Sequence, residues 1–161
     1  MGTIATIAKL GMVLVVVLGA PGAFAFGGSS SSTTRAKPAA RSGPSLSDAE
    51  REVKAKQYRS AIAKLEQVVR KNPRSVDAYN YLGYSHRQLG EYGRAIRYYQ
   101  TALRLDPNHR GANEYVGQLY LKLGDMKNAR RQLVKLRRIC GSGCEEYDNL
   151  SASIRRARKK R

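Results

Sequence analysis

The sequence predicts an all-α fold, a short α-solenoid of about three helical hairpins with a closing C-terminal helix. Three observations predict it. Between Val76 and His109, small and apolar residues recur at i, i+3, i+4 and i+7 in two successive runs. Each run is the buried stripe of an amphipathic helix. Gly90 separates the runs and Pro107 closes the second, which is where helices should stop. Related residues recur on either side at a spacing of about 34 residues, and a period of that length marks stacked helical pairs.

Residues 1–25 read as a secretory signal. Lys9 is their only charge, Leu10 to Leu18 is a short apolar run, and Ala23-Phe24-Ala25 offers small residues for cleavage after Ala25. The run is short for a bilayer span of about 20 residues. An uncleaved N-terminal anchor is the alternative. Residues 26–45 read as a disordered linker rich in Ser, Gly and Pro, with too few bulky apolar groups to offset ordering entropy.

The repeat region is expected over 46–156, in units at about 42–75, 76–109 and 110–143 with a closing helix at 145–156. Ser47 is expected to cap the first helix, with Glu50 three residues on completing a capping box. Tyr58, Ala61, Leu65, Val68 and Pro73 lie one repeat before Tyr92, Ala95, Tyr99, Ala102 and Pro107. The first helix of that unit is polar, as befits a terminal unit with no outer neighbour. In the middle unit, Tyr79, Leu82, Gly83 and His86 share one helical stripe. Gly83 and Ala95 should let two helices approach closely, and Ala102 leaves room for the next. The third unit keeps Gly117, Tyr120, Gly124, Met126, Ala129 and Leu133 in register. Tyr147, Leu150 and Ile154 would let the last helix cover its exposed face. Residues 157–161 form a basic tail.

At Tyr79, Leu82-Gly83, Gly90, Tyr92, Ala95, Tyr99, Ala102 and Pro107 the chain resembles a tetratricopeptide repeat. His86 departs from the aromatic usual at its place. The resemblance implies that the first helix of each pair lines a concave face that holds a peptide or partner helix. On the family's geometry, Asn80, Tyr84 and Arg87 would lie there from the second unit, and Glu114, Gln118 and Lys122 from the third. Some members grip a C-terminal carboxylate with Lys and Asn at such places. Leu46 and Glu50 stand there in the first unit, so that clamp is not supported. Tyr81 and Tyr98 fall off the main stripe and serve either as surplus packing or as interface anchors.

No enzyme constellation is present: no phosphate-binding loop, dinucleotide glycine pattern, His-Glu-x-x-His or nucleophile elbow. No cofactor and no metal is expected. Cys140 and Cys144 flank Gly141-Ser142-Gly143. Export to an oxidising compartment favours a disulfide between them, with free thiols or a metal or redox role as alternatives. The Cys-Gly…Cys-Glu-Glu-Tyr junction resembles that of bacterial exported proteins of this repeat type, which implies an envelope origin in the periplasm or beyond.

Thirty Lys and Arg oppose twelve Asp and Glu, for a net charge of +18. Removal of Lys9 with the signal would leave +17. Arg155, Arg156, Arg158, Lys159, Lys160 and Arg161 crowd the C-terminus, and Arg130, Arg131, Lys135, Arg137 and Arg138 crowd the third unit. Such a surface attracts polyanions. Export disfavours nucleic acid and favours an anionic membrane surface, an acidic envelope polymer or an acidic protein. The sequence thus points first to a non-enzymatic scaffold that binds a protein or peptide. Polyanion or membrane-surface binding through the basic end, and an accessory role beside an envelope enzyme, are the alternatives.

Overall fold

The computed structural model describes residues 43–159. The expected signal at 1–25, most of the linker, and Lys160 and Arg161 lie outside them. Seven helices follow in order: α1 (Leu46–Lys54), α2 (Tyr58–Lys71), α3 (Val76–Gln88), α4 (Tyr92–Leu105), α5 (Arg110–Lys122), α6 (Met126–Cys140) and α7 (Glu145–Lys159). The described part is therefore all-α, three hairpins and a closing helix. None of the described helices is long and apolar enough to cross a membrane.

Helix α1 starts earlier than expected. Ser45, not Ser47, is its cap: the Asp48 N–H donates to Ser45 Oγ at 3.2 Å, and the Ser45 N–H donates to the Asp48 carboxylate at 3.0 Å. Starting there brings Leu46 into the helix, where it packs on the first core cluster. Glu50 instead pairs with Lys54 at 2.8 Å on the next turn. Helix α7 runs to Lys159, so Ala157, Arg158 and Lys159 are helical rather than tail.

The repeat register extends to the backbone of the turns. Gly90 and Gly124 both have φ of 78°, and Lys56 at the same place in the first unit has φ of 60°. That is the left-handed region, which glycine enters freely and lysine does not. His109 caps α5: its Nδ1 accepts from the Ala112 N–H at 3.0 Å. The proton therefore sits on Nε2, which donates to Asp77 Oδ1 at 2.9 Å and ties α5 to the start of α3.

The core is divided among neighbours. Ala49, Val53, Ala61, Leu65, Val68, Ala78 and Leu82 form one cluster, Ala95, Tyr99, Val116 and Leu119 a second, and Ala129, Leu136, Leu150 and Ile154 a third. Each draws on adjacent hairpins, as a stack of nearest-neighbour interfaces requires. Two glycines permit close approaches between helices. A Cβ on Gly83 would fall 2.6 Å from the Tyr99 ring, and one on Gly117 would fall 2.6 Å from Leu150 Cδ2. The third unit thus offers its glycine slot to the closing helix.

Gly117→Ala should cost about 1–3 kcal/mol through overpacking against Leu150. Gly93→Ala, on an exposed face with nothing within 4 Å, should instead stabilise by about 0.5–1 kcal/mol. Urea unfolding of both variants measures the contrast, and equal stabilities would contradict the slot.

Candidate functional site

Helices α1, α3, α5 and α7 touch one another along the stack, whereas no direct packing links α2 to α4 or α4 to α6. Helices in lateral contact lie at the smaller radius, so the first set forms the inner, concave layer. A seam of rings crosses this layer. Tyr58 and Tyr84 meet edge-on at 6.1 Å between centroids, Tyr84 and Tyr115 at 5.0 Å, and Tyr115 and Tyr99 at 6.4 Å. Four different helices supply these rings.

The Arg87 guanidinium lies over two of them, 5.2 Å from the Tyr84 centroid and 5.7 Å from that of Tyr115. These are cation–π distances. Arg87 also opposes the upward shift that burial imposes on the Tyr99 hydroxyl. On one side of the seam, Val53, Lys54, Lys56, Tyr58, Tyr81, Tyr84 and Tyr115 line a groove of about 230 Å³. On the other, Arg87, Gln118, Leu121, Lys122, Ser153, Arg156 and Ala157 line one of about 320 Å³. Arg87 touches the rings of the first groove and walls the second, so it divides an aromatic groove from a cationic one. Burial and the neighbouring Glu50 push the Tyr81 hydroxyl up to about 12, so it stays a hydrogen-bond donor at any ordinary pH.

The residues expected on the concave face are placed at different depths. Tyr84 and Arg87 are half-buried in the seam, Gln118 is half-buried, and Lys122 is exposed. Asn80 and Glu114 are each only 5% exposed. The α5 backbone at Gly111 passes close to the Asn80 amide, and α7 packs over Glu114. By the repeat count, Leu121 rather than Lys122 corresponds to Arg87; both line the cationic groove. Tyr58, Tyr81, Tyr115 and Arg156 are wall residues that the sequence reading did not place here. Tyr81 and Tyr115 stand one repeat apart, and that spacing was the available signal.

His86 is buried in its aromatic place. It stacks on Tyr98 at 5.2 Å and its Nδ1 meets Glu91 Oε2 at 2.7 Å, which lowers the Glu91 pKa. Tyr98 also stacks on Tyr79 at 6.4 Å, so it is a packing residue. Cys140 and Cys144 are joined as a disulfide with Cα atoms 5.9 Å apart. Glu146 lies near their sulfurs and pairs with Arg110 at 3.5 Å, linking α7 to α5. Arg155, Arg156, Arg158 and Lys159 are exposed on the last turns of α7.

Glu114 is a carboxyl strongly shaped by this packing. Burial, then the nearby Glu146 and Glu145 carboxylates, raise it from 4.5 to about 7. The Gln118 amide donates to it at 2.7 Å. A carboxyl that titrates higher folded than unfolded holds its extra proton between those two values. Stability must therefore fall as pH rises through that window. Glu114→Gln should remove most of this slope and stabilise the chain by about 1–3 kcal/mol at about pH 8, with little effect at about pH 5. Urea midpoints at the two pH values check it. An unchanged slope in the variant would assign the pH dependence elsewhere.

No curated protein matches the chain. Solved structures do. A tetratricopeptide repeat protein from Parabacteroides merdae matches with a TM-score of 0.60 and 16% identity, over 71% of this chain and 44% of that one. The chain thus spans less than half the length of that protein. The Yersinia enterocolitica type III secretion chaperone SycD, in complex with a peptide of the translocator YopD, matches with a TM-score of 0.63 and 16% identity, over 71% and 90%. PcrH in complex with the chaperone binding region of PopD matches with a TM-score of 0.61 and 16% identity, over 70% and 86%. At such identity these likenesses concern the fold. A tetratricopeptide-repeat family model matches residues 48–109 and 83–138, together more than half of the sequence, and the chain belongs to the tetratricopeptide-repeat family.

Proposed function

We propose that this chain is a non-enzymatic interaction protein of a bacterial envelope that holds an extended peptide segment of a partner protein along its inner layer. The observation that carries the reading is the pair of grooves divided by Arg87. Half-buried tyrosines offer rigid apolar walls with hydroxyl donors, the composition of interface anchor sites. Lys54 and Lys56 rim the first groove, and Arg87, Lys122 and Arg156 line the second. The segment that fits has an apolar side chain for the tyrosine groove and acidic residues on either side. Two fold neighbours, SycD and PcrH, were solved with peptide segments of other proteins, which supports the same use of the fold here. The envelope placement rests on residues 1–25 and on the disulfide, whose persistence suits an oxidising compartment. The accessory-subunit alternative differs only in the identity of the partner.

Fluorescence anisotropy with labelled acidic–apolar peptides tests the binding face. Tyr84→Ala and Arg87→Ala should each weaken the best peptide by at least about tenfold, a loss of about 1.4 kcal/mol. Lys122→Glu should weaken acidic peptides selectively. Unchanged affinity in Tyr84→Ala and Arg87→Ala would overturn the site. Placement is checked by fractionation of cells making the full chain. A periplasmic or secreted product beginning at Phe26 is expected, and a cytosolic product retaining Met1 would contradict export.

A further inference from the structure

The outer layer carries a surface of a different kind. Helix α6 has Lys127, Arg130, Arg131, Lys135, Arg137 and Arg138 and no acidic residue. Among the described residues none of the six is in an ion pair. Asp125, the acid at the head of the helix, is occupied as its cap, accepting from the Asn128 N–H at 2.9 Å. The opposite side of α6 is the packed one, where Ala129 and Leu136 are fully buried. In the middle of the outward face sits Val134, 52% exposed. Arg130 and Arg138 flank it one turn away on each side, with Arg131 and Arg137 at the neighbouring positions. Met126, Arg130, Val134 and Arg138 follow one another at every fourth residue along one open groove.

Charge alone would fit any polyanion. The valine separates a phosphate polymer from a bilayer surface. A phosphate polymer offers no apolar surface to bury it, whereas the boundary between lipid headgroups and acyl chains does. A helix with cations around a short apolar line gains from both parts of an anionic bilayer surface. We propose that the outward face of α6 docks on membranes bearing anionic phospholipid headgroups, with the cations at the phosphates and Val134 reaching the acyl boundary. The peptide grooves lie on the inner layer, so this contact would leave them open, and the chain would present its bound segment at the membrane surface. Each cation near an anionic bilayer contributes about fivefold in affinity.

Sedimentation of the full chain with phosphatidylglycerol-containing vesicles, against pure phosphatidylcholine vesicles, tests this. Wild type and variants share the N-terminal apolar run and its Lys9, so a difference between them reports α6 alone. Wild type should bind the anionic vesicles in excess of the zwitterionic ones, and the paired change Arg130→Glu with Arg138→Glu should reduce that excess at least about tenfold. Val134→Ser, which leaves every charge in place on an exposed position, should reduce it about fivefold and leave binding to soluble polyphosphate unchanged. Two outcomes overturn the proposal. One is no preference for anionic vesicles. The other is vesicle binding that Val134→Ser does not alter, which would make the face a general polyanion site.

Discussion

The close approach of paired helices at two glycines governs the rest of the structure. Gly83 admits the ring of Tyr99, and Gly117 admits Leu150. Any side chain at either place would separate the layers. Because Tyr99 is drawn fully into the hairpin, its ring can meet Tyr115 of the next unit. Because Leu150 is drawn in, α7 lies against α5 and its Glu145 and Glu146 come near Glu114. The aromatic seam and the raised Glu114 are both consequences of where a Cβ is missing. The closing helix takes the same kind of slot in α5 that α4 takes in α3.

This packing separates the molecule into two faces of different chemistry. The inner layer presents tyrosines and a few cations, organised around one arginine. The outer face of α6 presents cations around an exposed valine. The charge of the chain is therefore not uniform decoration. The cations of α6 have no described ion-pair partner, whereas the acids of α1 are occupied: Glu50 with Lys54, Glu52 with Lys64, and Asp48 with Arg51 and the α1 cap. Unneutralised charge is concentrated where the stack ends.

The hairpins were legible because helix period, glycine and proline agree with one another from one repeat to the next. The start of α1 was not. Ser45–Asp48 and Ser47–Glu50 both have capping-box spacing, and local sequence does not choose between them. The choice is made by burial of Leu46 against a core contributed by α2 and α3. The concave residues were legible by register and opaque in depth. Asn80 and Glu114 occupy equivalent places, and both are covered because the next helix passes over them, a tertiary fact that no single repeat contains. Tyr115 could have been found by counting one repeat forward from Tyr81. Its place is not marked by the core stripe, because Tyr81 falls off that stripe, and position alone does not separate Tyr81 on a groove wall from Tyr98, which packs on Tyr79 and His86.

The central claim is that the inner layer is the working surface. Site-specific photocrosslinking tests it most directly: a benzoylphenylalanine in place of Tyr81, on the wall of the aromatic groove, irradiated in cells that make the full chain. The account predicts a covalent adduct to one short extended segment of a single partner protein, mapped by mass spectrometry and lost when Arg87→Ala is added. Protein adducts that form only from outer-layer positions, with none from position 81, would contradict it.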